Sequence, residues 1–318
     1  MEYRFELALC AALESTDRVV SRQLGAGVTR PGGRIVDVCL LEPGPGFPDR
    51  AAITPGRIPA MAIEAPVGPG SAVPVTEVFD LPPARAHAVA DAAVEAGYLE
   101  KGRRDGRDVV RATARYPNDW IGSLTAIENK PDLGTPGDLR AQLRYDVALG
   151  LFDSVVLATA SYVTRAHLNR IPDAVGVWRF DPESGTREVI RDPTPLAPNE
   201  PGVEILTEGS TRTDIALIDP EAKARRRRRI AERAYGKGWR PTPPGCVHAE
   251  TTADGQPYCG HFDRVVDPGR DCGEGCVACE PADPPPSGRE RLRDDRTAWV
   301  AEPSGGGPHR QAGLFRFG

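Results

Sequence analysis

The sequence predicts an α/β fold in which helices flank a mixed central sheet, and two stretches of the chain carry that prediction. Residues 34–41 begin with Arg34 and are otherwise apolar and rich in β-formers, interrupted by one acid, which is typical of a buried strand. Residues 124–159 show strand, helix and strand patterns in turn, which predicts a crossover between parallel strands. An inserted helix and hairpin and a cysteine-rich C-terminal segment complete the predicted architecture.

The N-terminal part is predicted to contain a helix and a buried strand. Apolar residues recur at helical spacing over residues 1–14, so this helix is expected to pack on the sheet. After a turn-rich stretch, strand 34–41 carries Asp37 among apolar neighbours. A carboxylate in a buried strand makes Asp37 the first candidate functional residue.

The middle of the chain is predicted to hold an insertion over residues 43–117. Proline and glycine are dense up to residue 83, which favours irregular structure or short strands, and residues 84–95 are predicted to form a helix. A hairpin with the turn Asp105-Gly106 follows. Helix and hairpin resemble half of a winged helix over residues 75–117, or they simply pack on the main sheet. The candidate nucleic-acid contacts on this hairpin are Arg103, Arg104 and Arg107.

Further regular elements are predicted after the insertion. They are a strand at 124–130, a helix at 138–149, a strand at 154–159, a hairpin of 176–180 with 187–190, and a helix at 220–235. The last helix carries arginines at every position from 225 to 229. We expect a solvated surface there, with phosphate binding as the alternative.

Glu128 and Lys130 are the candidate catalytic pair. Alternate residues of a strand point to one face, so both side chains project together while Asn129 points away. If the strand of Asp37 lies alongside, two carboxylates converge and can hold Mg²⁺ or Mn²⁺. Lys130 would then orient a water or stabilise charge on a phosphodiester. The alternative is that these residues lie on a solvated face or pair within loops.

These residues, taken in order, resemble the PD-(D/E)XK nuclease superfamily, with its restriction-endonuclease-like fold. The resemblance covers the core, residues 1 to about 240, and implies metal-binding and catalytic roles for Asp37, Glu128 and Lys130. An acid on the first helix often assists in that family, which matches Glu6 better than Glu14. The chain as a whole also resembles a haloarchaeal family with no assigned activity.

The RecB-like branch is the nearest part of that superfamily. Its glutamine and tyrosine on the helix after the lysine correspond to Gln142 and Tyr145, although they are three positions apart here instead of four. The long separation of Asp37 from Glu128 requires the insertion, and the histidine common in the branch is not evident.

Residues 241–282 are predicted to form a metal-binding segment, because soft ligands crowd into a loop-rich stretch with little apolar material. The candidate ligands are Cys246, His248, Cys259, His261, Cys272, Cys276 and Cys279. Structural Zn²⁺ is the preferred interpretation. The resemblance to RecB-like nucleases implies an alternative, an iron–sulfur cluster on Cys10 with the last three cysteines. Cys10 is otherwise a buried core residue.

Composition excludes few classes of function. A chain of 318 residues suits one large domain or two modest ones, and a net charge of −5 leaves room for a local basic groove. No run of residues is apolar enough to span a membrane, and the first residues lack the pattern of a leader. We therefore expect a cytoplasmic protein without membrane partners.

The function predicted from these features is that of a divalent-metal-dependent nuclease acting on DNA, in repair, recombination or defence. Two alternatives stand beside it: a non-catalytic DNA-binding module with a zinc site, and an inactive nuclease fold that serves as a scaffold. Residues 283–318 are of low complexity and expected to be disordered, with residues 314–317 as an apolar docking peptide.

Overall fold

The computed structural model describes residues 2–30, 32–209 and 211–303, and these fall into two compact units. The first unit comprises the chain up to Glu42 together with Ser123–Ala234 and Gly238–Ala298. The second comprises Pro43–Gly122, Tyr235–Lys237 and the described residues from Trp299.

Strands and helices alternate along the described chain. The strands are β1 (Val19–Gly25), β2 (Ile35–Pro43), β3 (Val73–Pro74), β4 (Leu99–Arg104), β5 (Arg107–Ala112), β6 (Ile121–Asn129), β7 (Ser154–Thr159), β8 (Gly176–Phe180), β9 (Arg187–Arg191), β10 (Gly202–Glu208), β11 (Thr213–Ile218), β12 (Ala249–Thr251), β13 (Pro257–Cys259) and β14 (Arg264–Val265). The helices are α1 (Glu2–Ala12), α2 (Phe47–Ala51), α3 (Ala60–Glu64), α4 (Val75–Val78), α5 (Pro83–Glu95), α6 (Leu139–Leu149), α7 (Arg165–Leu168), α8 (Pro220–Lys237) and α9 (Arg289–Arg296).

A six-stranded mixed sheet is the centre of the first unit, with the order β1-β2-β6-β7-β8-β9. The strand pairs β1–β2 and β8–β9 are antiparallel, whereas β6–β7 and β7–β8 are parallel. Helix α6 connects the parallel strands β6 and β7, as a crossover requires. The predicted α/β class, with a mixed central sheet flanked by helices, is confirmed.

Helix α1 packs on this sheet through its apolar side chains. Phe5 makes an edge-to-face contact with Phe180 of β8 at 5.5 Å between ring centroids. Leu9 and Cys10 are fully buried in the same hydrophobic cluster, beside Ile127 of β6. Each fully buried large apolar side chain contributes roughly 1.5–3 kcal/mol, so α1 is firmly held against the strands that carry the candidate site.

Strand β1 is the main element of this sheet that the sequence did not indicate. It pairs antiparallel with β2, so Asp37 lies in the second strand of the sheet and not in the first. The β10–β11 hairpin was also not predicted.

The expectation of a solvated arginine surface on α8 is wrong for Arg226 and Arg227, whereas Arg229 is exposed. Arg226 is buried and donates to the Gly25 carbonyl at 2.7 Å, and Arg227 donates to Leu151 O and to Asp153. These two guanidinium groups therefore bind α8 to other parts of the first unit. Neither α8 nor any other helix of the described ranges combines the length and apolarity that crossing a bilayer demands.

The second unit has its own small sheet, in the order β3-β5-β4. The β4–β5 turn has positive φ at both Asp105 (50°) and Gly106 (77°), as a type I′ hairpin turn requires. Helix α5 and this hairpin share a hydrophobic cluster that includes Ala90, Leu99 and Val110. Helix and hairpin therefore pack on each other within the second unit. The stretch 42–83, expected to be irregular or short strands, also contains the helices α2, α3 and α4.

The C-terminal stretch 283–318 is not uniformly irregular. Residues 289–296 form α9, in which Arg293 is buried, so the expectation of disorder is wrong for this part. The candidate docking peptide, residues 314–317, lies outside the described residues.

Candidate active site

Asp37 lies on β2, and the Glu128-Asn129-Lys130 run lies at the end of the neighbouring strand β6. The Asn129 backbone N–H donates to Asp37 Oδ2 at 3.0 Å. The carboxylate of Asp37 therefore reaches the residue that stands between Glu128 and Lys130. The strand order thus brings Asp37 beside a residue 92 positions away in the sequence.

The two carboxyl groups influence each other's protonation. Burial and the charge of Asp37 raise the pKa of Glu128 to about 8. Burial also raises the pKa of Asp37, although the hydrogen bond from Asn129 and the nearby Arg34 lower it. Two acids that repel each other in this way favour the addition of a proton or a cation to the site.

Arg34 is a cation that the sequence argument did not include. It directly precedes β2, and its Nη2 donates to Glu128 Oε2 at 2.7 Å. The same guanidinium bonds Asp146 of α6 through Nε at 3.0 Å and Nη2 at 2.5 Å. All three side chains are at least 93% buried, with exposures of 6%, 7% and 2% for Arg34, Glu128 and Asp146. Arg34 therefore links the Glu128 carboxylate to Asp146 of α6 and holds it in place.

Glu6 is tied to the site from the opposite side, through α1. It is buried, accepts from Arg22, and accepts from Asn129 Nδ2 at 2.8 Å. Gln23 Nε2 bridges Glu6 Oε2 at 3.0 Å and Asp37 Oδ1 at 3.3 Å. Burial raises the pKa of Glu6, while Arg22 and Gln23 lower it.

Glu14, the acid that fits the resemblance less well than Glu6, has a different role. It accepts two hydrogen bonds from Arg240, at 2.7 and 2.6 Å, and one from Trp239 Nε1 at 2.9 Å. Glu14 is therefore a structural ion-pair partner.

Gln23 holds its position by an unusual backbone conformation. Its φ is +52°, a left-handed value that is uncommon outside glycine, and the β1–β2 pairing passes from Arg22 to Leu24 without it. Local strain of this kind costs about 1–3 kcal/mol and persists where the surroundings enforce it. Here it directs the amide toward Glu6 and Asp37.

Lys130 lies just after the end of β6. Its backbone N–H donates to Ala158 O at 2.9 Å, and its Nζ is 3.8 Å from Glu2 Oε1. The side chain is 25% exposed, so its ammonium is accessible from solvent. Glu2 is therefore the acid that holds Lys130 near the rim of the site.

A family model decides the classification, because it matches residues 19–281 under the description "Family of unknown function (DUF5787)". The chain belongs to the DUF5787 family. The match begins after α1, so it includes Asp37, Glu128 and Lys130 but not Glu6. No curated protein and no solved structure matches the chain significantly.

Gln142 and Tyr145, the residues that the RecB-like resemblance suggests, lie on α6 of this DUF5787 chain. The Tyr145 hydroxyl donates to Glu204 Oε1 at 2.7 Å, and Glu204 also accepts from the backbone N–H groups of Val28 and Thr29. Tyr145 therefore supports the loop before β2 through Glu204. Gln142 is half-buried on the same helix.

The basic hairpin belongs to the second unit of the DUF5787 chain. Arg107 is 71% exposed and lies 3.5 Å from Glu77 Oε1. Arg103 is exposed and bonds the turn carbonyl of Gly106 at 3.4 Å, and Arg104 is half-exposed. At least one arginine of this basic tip therefore has an acidic neighbour, Glu77.

The cysteine-rich segment surrounds one cavity of about 220 Å³. Its thiol and imidazole lining consists of Cys246, His248, Cys259, Cys272, Cys276 and Cys279. All these cysteines are free and half-buried, whereas Cys10 and Cys39 are fully buried elsewhere. His261 is outside the lining, with its ring 5.2 Å from that of His248. Within the described ranges, no three His, Cys, Asp or Glu side chains are already placed to hold a metal ion.

Proposed function

We propose that this DUF5787 protein is a divalent-metal-dependent nuclease of the restriction-endonuclease-like type that hydrolyses phosphodiester bonds in DNA. The observation that carries the proposal is the 3.0 Å hydrogen bond from Asn129 N to Asp37 Oδ2. It puts a half-buried carboxylate beside an acid-x-lysine strand. The order of α1, the acid strand β2, the Glu-x-Lys strand β6, helix α6 and the parallel strand β7 supports the same assignment.

Asp37 and Glu128 fit a hard divalent cation as a pair of ligands. Each ionised carboxylate has about four acceptor positions, and the hydrogen bonds from Gln23, Asn129 and Arg34 use only some of them. Mg²⁺ is commonly held by one or two carboxylates, with water and substrate phosphate completing the shell. The raised pKa values of both acids agree with a site that gains stability from added positive charge.

Each residue then has a distinct task. Asp37 and Glu128 hold the cation, and Arg34 and Asn129 hold these two carboxylates in place. The bound cation would polarise the phosphodiester and lower the pKa of a coordinated water. Lys130, partly exposed at the rim, orients the attacking water and stabilises negative charge on the phosphate.

The test is cleavage of single-stranded, duplex and branched DNA by purified protein with Mg²⁺ or Mn²⁺. Asp37→Asn keeps an acceptor for Asn129 N–H but loses the charge, and Lys130→Ala removes the ammonium. We expect each variant to lose about 10²–10³-fold in cleavage rate. Lys237→Ala, an exposed lysine at the end of α8, is the matched control and should cleave normally. Absence of cleavage by folded, metal-supplied wild type would refute the proposal.

A second candidate function is DNA binding without cleavage, and the second unit favours it. The short α3, β3 and α4 precede α5 and the β4–β5 hairpin, which gives this unit the helices and strands of a winged helix. Its hairpin tip carries the exposed Arg103 and Arg107. If this were the whole function, Lys130→Ala would bind DNA as the wild type does, and neither protein would cleave it.

The cysteine-rich segment enters the same proposal as a metal-binding element of the fold. Its free thiols line a shared cavity and form no disulfide among the residues that the structure describes. Cys10, the extra ligand of the iron–sulfur alternative, is fully buried in the cluster between α1 and the sheet. That placement favours a site built from the segment's own cysteines.

A further inference from the structure

The cysteine cavity is assembled from three separate parts of the segment. The backbone of Cys246 pairs with that of Pro281 in an isolated antiparallel β-bridge near the ends of the segment. Cys259 is the last residue of β13. The remaining three come from a loop in which Cys276 N donates to Gly273 O and Cys279 N donates to Cys276 O. The thiols of three separate parts of the segment thus line one cavity.

The segment has very little core of its own. Its strands β12, β13 and β14 have only three, three and two residues. Val266 is buried, but Val247, Phe262 and Val277 are 53%, 41% and 95% exposed. So small an apolar interior does not offset the conformational entropy of ordering such a loop-rich segment, which is why small folds need a metal or a disulfide.

Thiols from all three parts line the same cavity. Cys246 and Cys259 each come from a part of their own, and Cys272, Cys276 and Cys279 share the third. A cation that binds thiolates from every part would link these parts and stabilise the segment. Sulfur ligands favour a soft or borderline ion such as Zn²⁺ over Mg²⁺.

We infer that the cavity binds one Zn²⁺ through the thiolates of Cys246 and Cys259 and of two of the three loop cysteines. Binding releases the four thiol protons and forms four zinc–sulfur bonds, with no oxidant or reductant involved. The sulfurs line the cavity without yet converging, so binding would require them to move inward. His261 lies outside the lining and is not a ligand in this site. The inference rests on the metal-binding role proposed for the segment and not on nuclease activity.

The experiment measures metal content of the full-length protein, produced in medium that contains both zinc and iron, by inductively coupled plasma mass spectrometry. We expect about one zinc per chain. Cys246→Ser and Cys259→Ser should reduce it to a minor fraction, whereas the matched His261→Ala should keep it. Iron with visible charge-transfer absorbance, no metal in the folded wild type, or full retention of zinc in Cys259→Ser would each overturn this assignment.

Cobalt substitution keeps the inference testable if the serine variants do not fold. Co²⁺ added to zinc-depleted wild type should give the intense visible bands of a tetrahedral tetrathiolate site. A weak octahedral spectrum would refute the ligand set. Asp37→Asn should retain its zinc while losing cleavage, so failure of the nuclease proposal and failure of the zinc site are distinguishable.

Discussion

Replacing Arg34 with methionine tests whether the buried ion cluster stabilises the first unit. The substitution keeps most of the aliphatic bulk but leaves the Glu128 and Asp146 carboxylates, 7% and 2% exposed, without their cation. Removal of one partner from a buried pair costs about 3–5 kcal/mol, because an uncompensated charge stays buried. We expect a loss of that size in the free energy of unfolding at pH 8.

The loss should depend on pH in a defined direction. Arg34 lowers the pKa of both carboxyl groups, so its removal raises them further above their values in the unfolded chain. A carboxyl that keeps its proton in the folded state and loses it on unfolding lowers stability by about 1.4 kcal/mol per pH unit. For these carboxyl groups the folded state is thus at its most stable below the pKa of the unfolded chain. That stability is lost as the pH rises through the pKa of the folded state. The difference between wild type and variant should therefore be small near pH 5 and full near pH 8.

Urea unfolding followed by circular dichroism at both pH values measures this difference. The matched control is Arg179→Met, which breaks an exposed pair with Glu188 and should cost no more than about 1 kcal/mol. Equal losses at Arg34 and Arg179, or a loss at Arg34 that does not change between pH 5 and pH 8, would refute the reasoning.

Two further predictions concern pH and the support of the site. With a pKa of about 8 for Glu128, protons compete with the cation, so cleavage should rise between pH 6 and pH 9. More Mn²⁺ should move this rise to lower pH, and a rise independent of metal concentration would contradict the assignment. Burial alone would raise the pKa of Glu204, but its hydrogen bonds with Thr29, Tyr145 and Val28 lower it overall. Its stabilising effect is therefore present above the unfolded pKa and lost as pH falls. Glu204→Gln should cost about 1–3 kcal/mol in urea unfolding at pH 7, whereas an equal effect of Glu208→Gln, which breaks an exposed pair on the same strand, would show that burial is not the cause.

The sequence by itself indicated the elements whose periodicity is strong. Strands β2, β6 and β7 and helices α1 and α6 follow from local apolar patterns, and the turn at Asp105-Gly106 follows from residues that tolerate positive φ. Strand β1 was missed because Arg22 and Gln23 interrupt its apolar run. Arg22 bonds Glu6 and Gln23 bonds Asp37, so the residues that support the site are also those that break the apolar pattern of the strand.

The residues of the candidate site also divide into those that the sequence indicated and those that it did not. Asp37, Glu128 and Lys130 could be found because acids and a lysine stand out in or directly beside apolar strands. Arg34 and Asp146 could not, because 112 positions separate them in the sequence and only tertiary packing brings their charges together. The cysteine spacing predicted a metal-binding segment, but which cysteines share a cavity depends on where β13 and the loop of Cys272 lie. Local patterning thus determined the elements and the conspicuous acids, whereas the partners of each buried charge were decided by the tertiary structure, because such pairing has no signature along the chain.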